Sequence, residues 1–282
     1  MPYSFCTRFI IVLFLFAQSA WSSQWMAIMG DAGLVGPELS ALSDSITTEG
    51  ITSLILPGDN LYVGTYKGTW NQWKRSGFKF DVVAIGNHNG GYQKEINYFA
   101  MPGEYYSVEK NGARFLVLNS DNTQNVEQQF AWLEQEINQV KESLVFLVYH
   151  HPTFNSGTGH NWRVKENFQL HMRTFLKNHK KKITALLLGH EHISSFLSFG
   201  DIPAVVVGAS CDTDKSSPVS YVEEGFEVNT RFLAPRTHHW AALEILDGAK
   251  EANIHFIRIH DQKKVCSAHF QSGRMELESN CQ

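Results

Sequence analysis

The sequence predicts an α/β chain (α+β by some schemes), with strands in a mixed sheet or two packed sheets and helices outside. Three observations predict it. Apolar runs of strand length alternate with stretches of helical periodicity through the first two thirds of the chain. Strand patterns then dominate from Ala204 onward. Five of the early runs stop at a glycine or at a polar donor: Asp31, Asp59, Asn87, His150 and His190.

The elements follow in order. Trp25 to Gly30 is a short apolar run and reads as the first strand. Pro37 to Thr48 reads as a helix, with Leu39, Leu42 and Ile46 at helical spacing. Ser53 to Leu56 is a β-branched run stopped by Pro57-Gly58. Phe80 to Ile85 is the third strand. Tyr105 to Val108 and Ala113 to Leu118 flank Lys110-Asn111-Gly112, a hairpin signal. Val126 to Lys141 carries Phe130, Leu133, Ile137 and Val140 on one helical face. Leu144 to Tyr149 and Ile183 to Leu188 are wholly apolar and read as buried strands. Trp162 to His179 between them reads as a helix whose basic end suits a C-terminus. Ala204 to Gly208, Trp240 to Leu246, Asn253 to Ile259 and Lys264 to Phe270 complete the strands, and no domain boundary stands out.

Composition bounds the rest. A chain of 282 residues, 43% hydrophobic and 18% charged, has the length for a large core. A formal net charge of −4 leaves no nucleic-acid footprint. Arg8, the apolar run Phe9 to Ala17, and the small residues Ala20 and Ser22 form an export signal with a cleavage site. The run is too short to span a bilayer comfortably. Residues 1–22 are therefore expected to be removed, and 23–282 to form one exported catalytic domain, periplasmic or secreted, with no membrane segment and a monomeric state. The mature chain has no Asn-x-Ser/Thr site, which points toward a periplasm. Cys266 and Cys281 both lie in the tail and are placed to pair, which would leave Cys211 free; the other pairings stay open.

Chemistry concentrates where the strands end. Seven donors, Asp31, Asp59, Tyr62, Asn87, His150, His190 and His192, fall at one predicted sheet edge, where open α/β sheets build their sites. Two Asp, one Tyr, one Asn and three His make a ligand set for two metal ions. Taken singly, each motif has a plainer reading. Gly30-Asp31-Ala32-Gly33 is a turn, Tyr62 a packed aromatic, Gly86-Asn87-His88-Asn89 a strand-ending turn, and His150-His151 a structural pair. Gly189-His190-Glu191-His192 is the strongest single signal, because two His one residue apart serve adjacent ions from one loop.

Together the five motifs resemble the calcineurin-like metallophosphoesterases and, through Tyr62, the purple acid phosphatases among them. The family pattern is Asp-x-Gly, Gly-Asp-x-x-Tyr, Gly-Asn-His-(Asp/Glu), Val-x-x-His and Gly-His-x-His, and the likeness covers Trp25 to His192. It implies two packed mixed sheets flanked by helices. Because so little chain precedes Asp31, it also implies the small single-domain, tartrate-resistant type. It implies that Asp31, Tyr62 and His192 hold Fe(III), and that Asn87, His150 and His190 hold a divalent Fe, Zn or Mn. Asp59 bridges the pair. By the same resemblance Asn87 and His88 contact the phosphate of a small phosphate ester, His160 serves the leaving group, and His151 lies behind the ligands or lines the cleft as a substrate-binding residue. The implied reaction is acid hydrolysis of phosphomonoesters by a metal-activated hydroxide, releasing inorganic phosphate. Histidines that work protonated set an acidic optimum.

Two positions depart from the pattern. Asn89 stands where a carboxylate is usual; an Asn there is expected to accept a hydrogen bond from His88 without the charge, so that Asn89→Asp raises turnover. Leu147 replaces the Val before His150, a mild change in a buried strand. Trp70 and Trp73 are either stacking platforms for an aromatic leaving group or core residues. A nucleotidase or phosphodiesterase with other metals, or a binding protein on the same fold, are the competing readings. Tyr62 argues against the former, and the complete ligand set against the latter.

Overall fold

The computed structural model describes residues 23–157, 165–271 and 273–281. Two β-sheets face each other. The first has seven strands in the order β15-β14-β13-β12-β1-β2-β3, and the second eight in the order β10-β11-β8-β9-β7-β6-β5-β4. In the first, β1 (Gln24–Ile28), β2 (Ser53–Leu56) and β3 (Lys79–Val83) run parallel. β12 (His239–Ile245), β13 (Glu251–Arg258), β14 (Lys263–Gln271) and β15 (Arg274–Leu277) extend it antiparallel.

In the second sheet β5 (Ala113–Val117), β6 (Val145–Tyr149), β7 (Ala185–Leu188) and β9 (Ile202–Val207) are parallel. β4 (Tyr106–Lys110), β8 (Ser194–Phe199), β10 (Ser220–Glu223) and β11 (Phe226–Leu233) pair antiparallel. The fold is thus α/β with two mixed sheets and helices outside, as the element pattern predicts.

Two apolar clusters hold it. One fills the space between the sheets and reaches α1 (Pro37–Thr48) and α2 (Tyr66–Arg75). Trp70 and Trp73 belong to it, and the Trp70 indole N–H donates to the Asn60 carbonyl at 2.8 Å. They are core, not stacking platforms. The other lies on the outer face of the second sheet, under α4 (Val126–Gln139) and α5 (Glu166–His179). Phe130, Leu133 and Ile137 pack there against Phe168, Met172 and Phe175.

The structure adds elements that periodicity did not mark. Helix α2 buries Tyr66, Thr69, Trp70 and Trp73, a correct 3.6 spacing diluted by polar neighbours, and the Thr65 hydroxyl caps it from Gly68 N–H at 3.1 Å. Helix α3 (Tyr92–Phe99) and strands β8, β10, β11 and β15 complete the set. The Asn111-Gly112 hairpin is as expected, both residues left-handed (φ 56° and 80°) as a type I′ turn needs. Cys266 and Cys281 form a disulfide, and Cys211 is free and buried. No helix among the described residues is long and apolar enough to cross a membrane.

Parallel strands place their C-terminal ends on one edge. In the first sheet the chain leaves that edge at Asp31, Asp59 and Asn87; in the second it leaves at His150 and His190. The two edges are tied together, because Gly30 N–H donates across to Val207 O at 2.8 Å.

Candidate metal centre

The site forms in the crevice between these edges. Asp31, Asp59 and His190 carry positive φ values of 56°, 55° and 71°. Residues with a Cβ adopt that conformation only at a cost of about 1 kcal/mol or more, and such strain gathers at functional sites. Close approach is built in as well. A Cβ on Gly86 would lie 2.1 Å from Asp59 Oδ1, and one on Gly58 would lie 2.6 Å from His150 Nδ1. Glycine is what lets the three loops meet.

Two groups share this space. Around Asp31, the Tyr62 hydroxyl donates to Oδ1 at 3.2 Å and lies 3.1 Å from His192 Nε2, itself 3.5 Å from Asp31 Oδ1. Asp31 Oδ2 accepts the His190 N–H at 2.9 Å. Around Asp59, Oδ1 lies 3.1 Å from His150 Nε2 and accepts the His88 N–H at 2.8 Å. His150 Nδ1 meets the Pro57 carbonyl at 3.0 Å, which turns Nε2 toward the carboxylate. Donor atoms of Asp31, Asp59 and His150 lie within 4.8 Å of one another, and so do those of His150, His151 and His190.

The remaining expected residues take their places around this centre. Asn87 and His88 are exposed on the same loop, and the His88 ring stacks on Tyr62 at 4.5 Å. His151 is fully buried, with its ring 4.5 Å from His190. His160 lies outside the described residues.

Asn89 does not reach His88 as expected. Its amide nitrogen donates to Gly86 O at 2.6 Å and to Asp121 Oδ2 at 3.5 Å, and its oxygen accepts the Gly91 N–H at 2.9 Å. Both ends close the loop instead.

The electrostatics call for a cation. Burial would lower the His150 imidazole, but Asp59 and Asp31 outweigh it and raise it to about 9. Burial likewise opposes a proton on His192, and Asp31, Asp214 and Asp212 raise it to about 9. Burial would raise the Asp59 carboxyl, yet the adjoining histidines hold it well below the ordinary range. The Tyr62 phenol is pushed far up by burial and by the two Asp carboxylates. Two buried carboxylates facing a phenol are stable only with positive charge among them. Protonated imidazoles supply it here, and metal ions fit the same oxygen and nitrogen donors.

Several supporting groups gave no signal in the sequence. Asp212 and Asp214 flank His192 Nδ1 at 3.4 and 3.9 Å. Glu95 is buried behind the Asp59 loop, accepting from Asn60 Nδ2 at 2.5 Å and from the Tyr66 hydroxyl at 2.8 Å. Asp121 holds Tyr92 and Lys165 beside Asn89. All four carboxylates sit on loops or helices with no spacing relation to the seven candidate donors; Glu95 was findable only through the unmarked helix α3.

The architecture is the calcineurin-like metallophosphoesterase fold. Among solved structures, a purple acid phosphatase from yellow lupin (Lupinus luteus) seeds superposes with a TM-score of 0.69 at 16% identity. The match covers 87% of this chain and 53% of that one. GAP50, the anchor in the inner membrane complex of Plasmodium, superposes with a TM-score of 0.67 at 13% identity, over 89% of each chain. In sequence, purple acid phosphatase 13 of Arabidopsis thaliana is 28% identical over 144 residues, 42% of this chain. That match spans 26% of the plant protein's length. No protein-family model matches.

Proposed function

We propose that this protein is a phosphoester hydrolase, and specifically an acid phosphatase acting on phosphomonoesters with Fe(III) and a divalent Fe, Zn or Mn ion. One observation carries the reading: four separate loops bring the carboxylates of Asp31 and Asp59, the Tyr62 phenol and the imidazoles of His150 and His192 into one cluster. Asp31, Tyr62 and His192 would hold one ion. His150 and His190, with Asn87 on the outer side, would hold the other, and Asp59 would stand between. When bound, such a pair supplies Lewis-acid charge to a phosphoryl group and acidifies water.

The protein's own groups do the positioning. His88 is fixed by its N–H to Asp59 and by its stack on Tyr62, and its exposed ring offers a donor to a phosphate oxygen. Asn87 presents its amide from the same loop. His160 is the candidate for protonating the leaving group. The chain is proposed to be exported and monomeric, with 1–22 as its signal and 23–282 as the catalytic domain. A disulfide in the tail suits an oxidising compartment.

The test is metal quantitation, a visible spectrum and turnover of p-nitrophenyl phosphate on protein as purified. Iron, a visible charge-transfer band from a phenolate bound to Fe(III), and faster turnover of the monoester than of bis-p-nitrophenyl phosphate are expected. A colourless protein that favours the diester overturns the acid phosphatase assignment.

A further inference from the structure

We propose that His151 is itself a metal ligand, completing with His150 and His190 a three-imidazole face on the second ion. The inference rests on the metallophosphatase reading and extends it to a residue outside the implied ligand set.

Neighbouring residues of a strand point to opposite faces. Strand β6 ends at Tyr149, however, and the chain beyond it turns His150 and His151 to the same side. Their ring centroids are 4.8 Å apart, and those of His151 and His190 4.5 Å. A donor nitrogen of each of the three lies within 4.8 Å of the others. The ring of His151 is held in place: Nδ1 meets Ser120 Oγ at 2.9 Å, and the same hydroxyl accepts the His151 backbone N–H at 2.9 Å. Its other nitrogen, Nε2, is buried with no hydrogen-bond partner among the described residues, and the residue has no solvent exposure. A buried polar atom left unpaired is costly and needs a reason. An ion between the three rings gives one.

Asn87, by contrast, is exposed and offers only a weakly donating amide oxygen. Three imidazoles with one carboxylate also favour zinc or iron(II) over manganese, which prefers oxygen donors.

The experiment titrates metal-free protein with Zn(II) alone against a competing chelator, and counts imidazoles around zinc by X-ray absorption. Wild type is compared with His151→Ala and with His151→Gln, which keeps the side-chain bulk should the smaller residue disturb folding. Thermal unfolding of the chelated proteins checks that the variants fold. Both variants are expected to keep one ion and bind the second about 10- to 100-fold or more weakly, with one imidazole fewer. Two ions bound with unchanged affinity and an unchanged imidazole count overturn the proposal while leaving the phosphatase reading intact. A wild type that takes up no zinc overturns both.

Discussion

At the scale of single residues, two buried titratable groups outside the ligand set pull stability in opposite directions as pH changes. Burial raises the Glu95 carboxyl from 4.5 to about 7, against the donors from Asn60 and Tyr66. The folded state therefore binds a proton there that the unfolded chain has released. Its contribution is present below pH 4.5 and is lost as pH rises to about 7. Burial, with Arg258, His238 and His260 nearby, lowers the His239 imidazole to about 4. Here the unfolded chain binds the proton, so the contribution is present above pH 6.5 and is lost as pH falls to about 4. Each is worth about 3 kcal/mol, and in wild type the two slopes largely cancel. Glu95→Gln is expected to gain stability on wild type as pH rises from 4.5 to 7. His239→Gln is expected to lose ground on wild type as pH rises from 4 to 6.5. Denaturant unfolding in chelator across this range measures both, and parallel curves for variants and wild type would refute the assignment.

At the scale of elements, the loop joining β3 to α3 shows how a motif can be legible while its contacts are not. The resemblance puts a carboxylate at position 89 to support His88, and so expects Asn89→Asp to raise turnover. In the folded loop the Asn89 amide spans Gly86 O and Gly91 N–H, and one of its hydrogens faces Asp121 Oδ2. An aspartate cannot donate to Gly86 O, and it brings a like charge to Asp121. Asn89→Asp is now expected to lower stability by about 1–3 kcal/mol with no rise in kcat, which paired unfolding and turnover measurements check. An increase in kcat would restore the original role.

The wider pattern is the same. The bounds of α1 and β2 and the strands ending at His150 and His190 were readable, because buried parallel strands are apolar throughout and α1 has a clean apolar stripe. Helix α2 was hidden because its mean character is polar, although Tyr66, Thr69, Trp70 and Trp73 fall on one face. Strand β11 was hidden because it is only partly buried and bulged near Thr230, which breaks the alternation. The donor side chains and the sheet edge at which they gather were legible from strand ends. The burial of His151 was not, since it depends on Ser120, thirty-one residues earlier in the chain.

At the scale of the molecule, the centre lies across the seam between the sheets. Asp31, Asp59, Asn87 and His88 leave the first sheet, and His150, His151, His190 and His192 leave the second. An ion pair held there would bind the two sheets to each other, so metal uptake and global stability should be linked. Protons enter the same linkage. With His150 and His192 both raised to about 9, the metal-free protein carries both charges at neutral pH, and a metal must displace them. Uptake at pH 7 should therefore release about two protons from these imidazoles, with a further one from the Tyr62 phenol where it binds as a phenolate, and apparent affinity should climb as pH approaches 9. Calorimetric titration of the chelated protein in buffers of different ionisation enthalpy counts those protons directly. Unfolding at a thousandfold excess of metal over its Kd should show a gain of about 4 kcal/mol per bound ion over the chelated protein. A proton count near zero would mean that the imidazoles are neutral before the ions arrive and that the carboxylates of Asp31 and Asp59 are balanced in some other way. A proton release without the gain in stability would mean that the unfolded chain binds the ions about as tightly as the folded one.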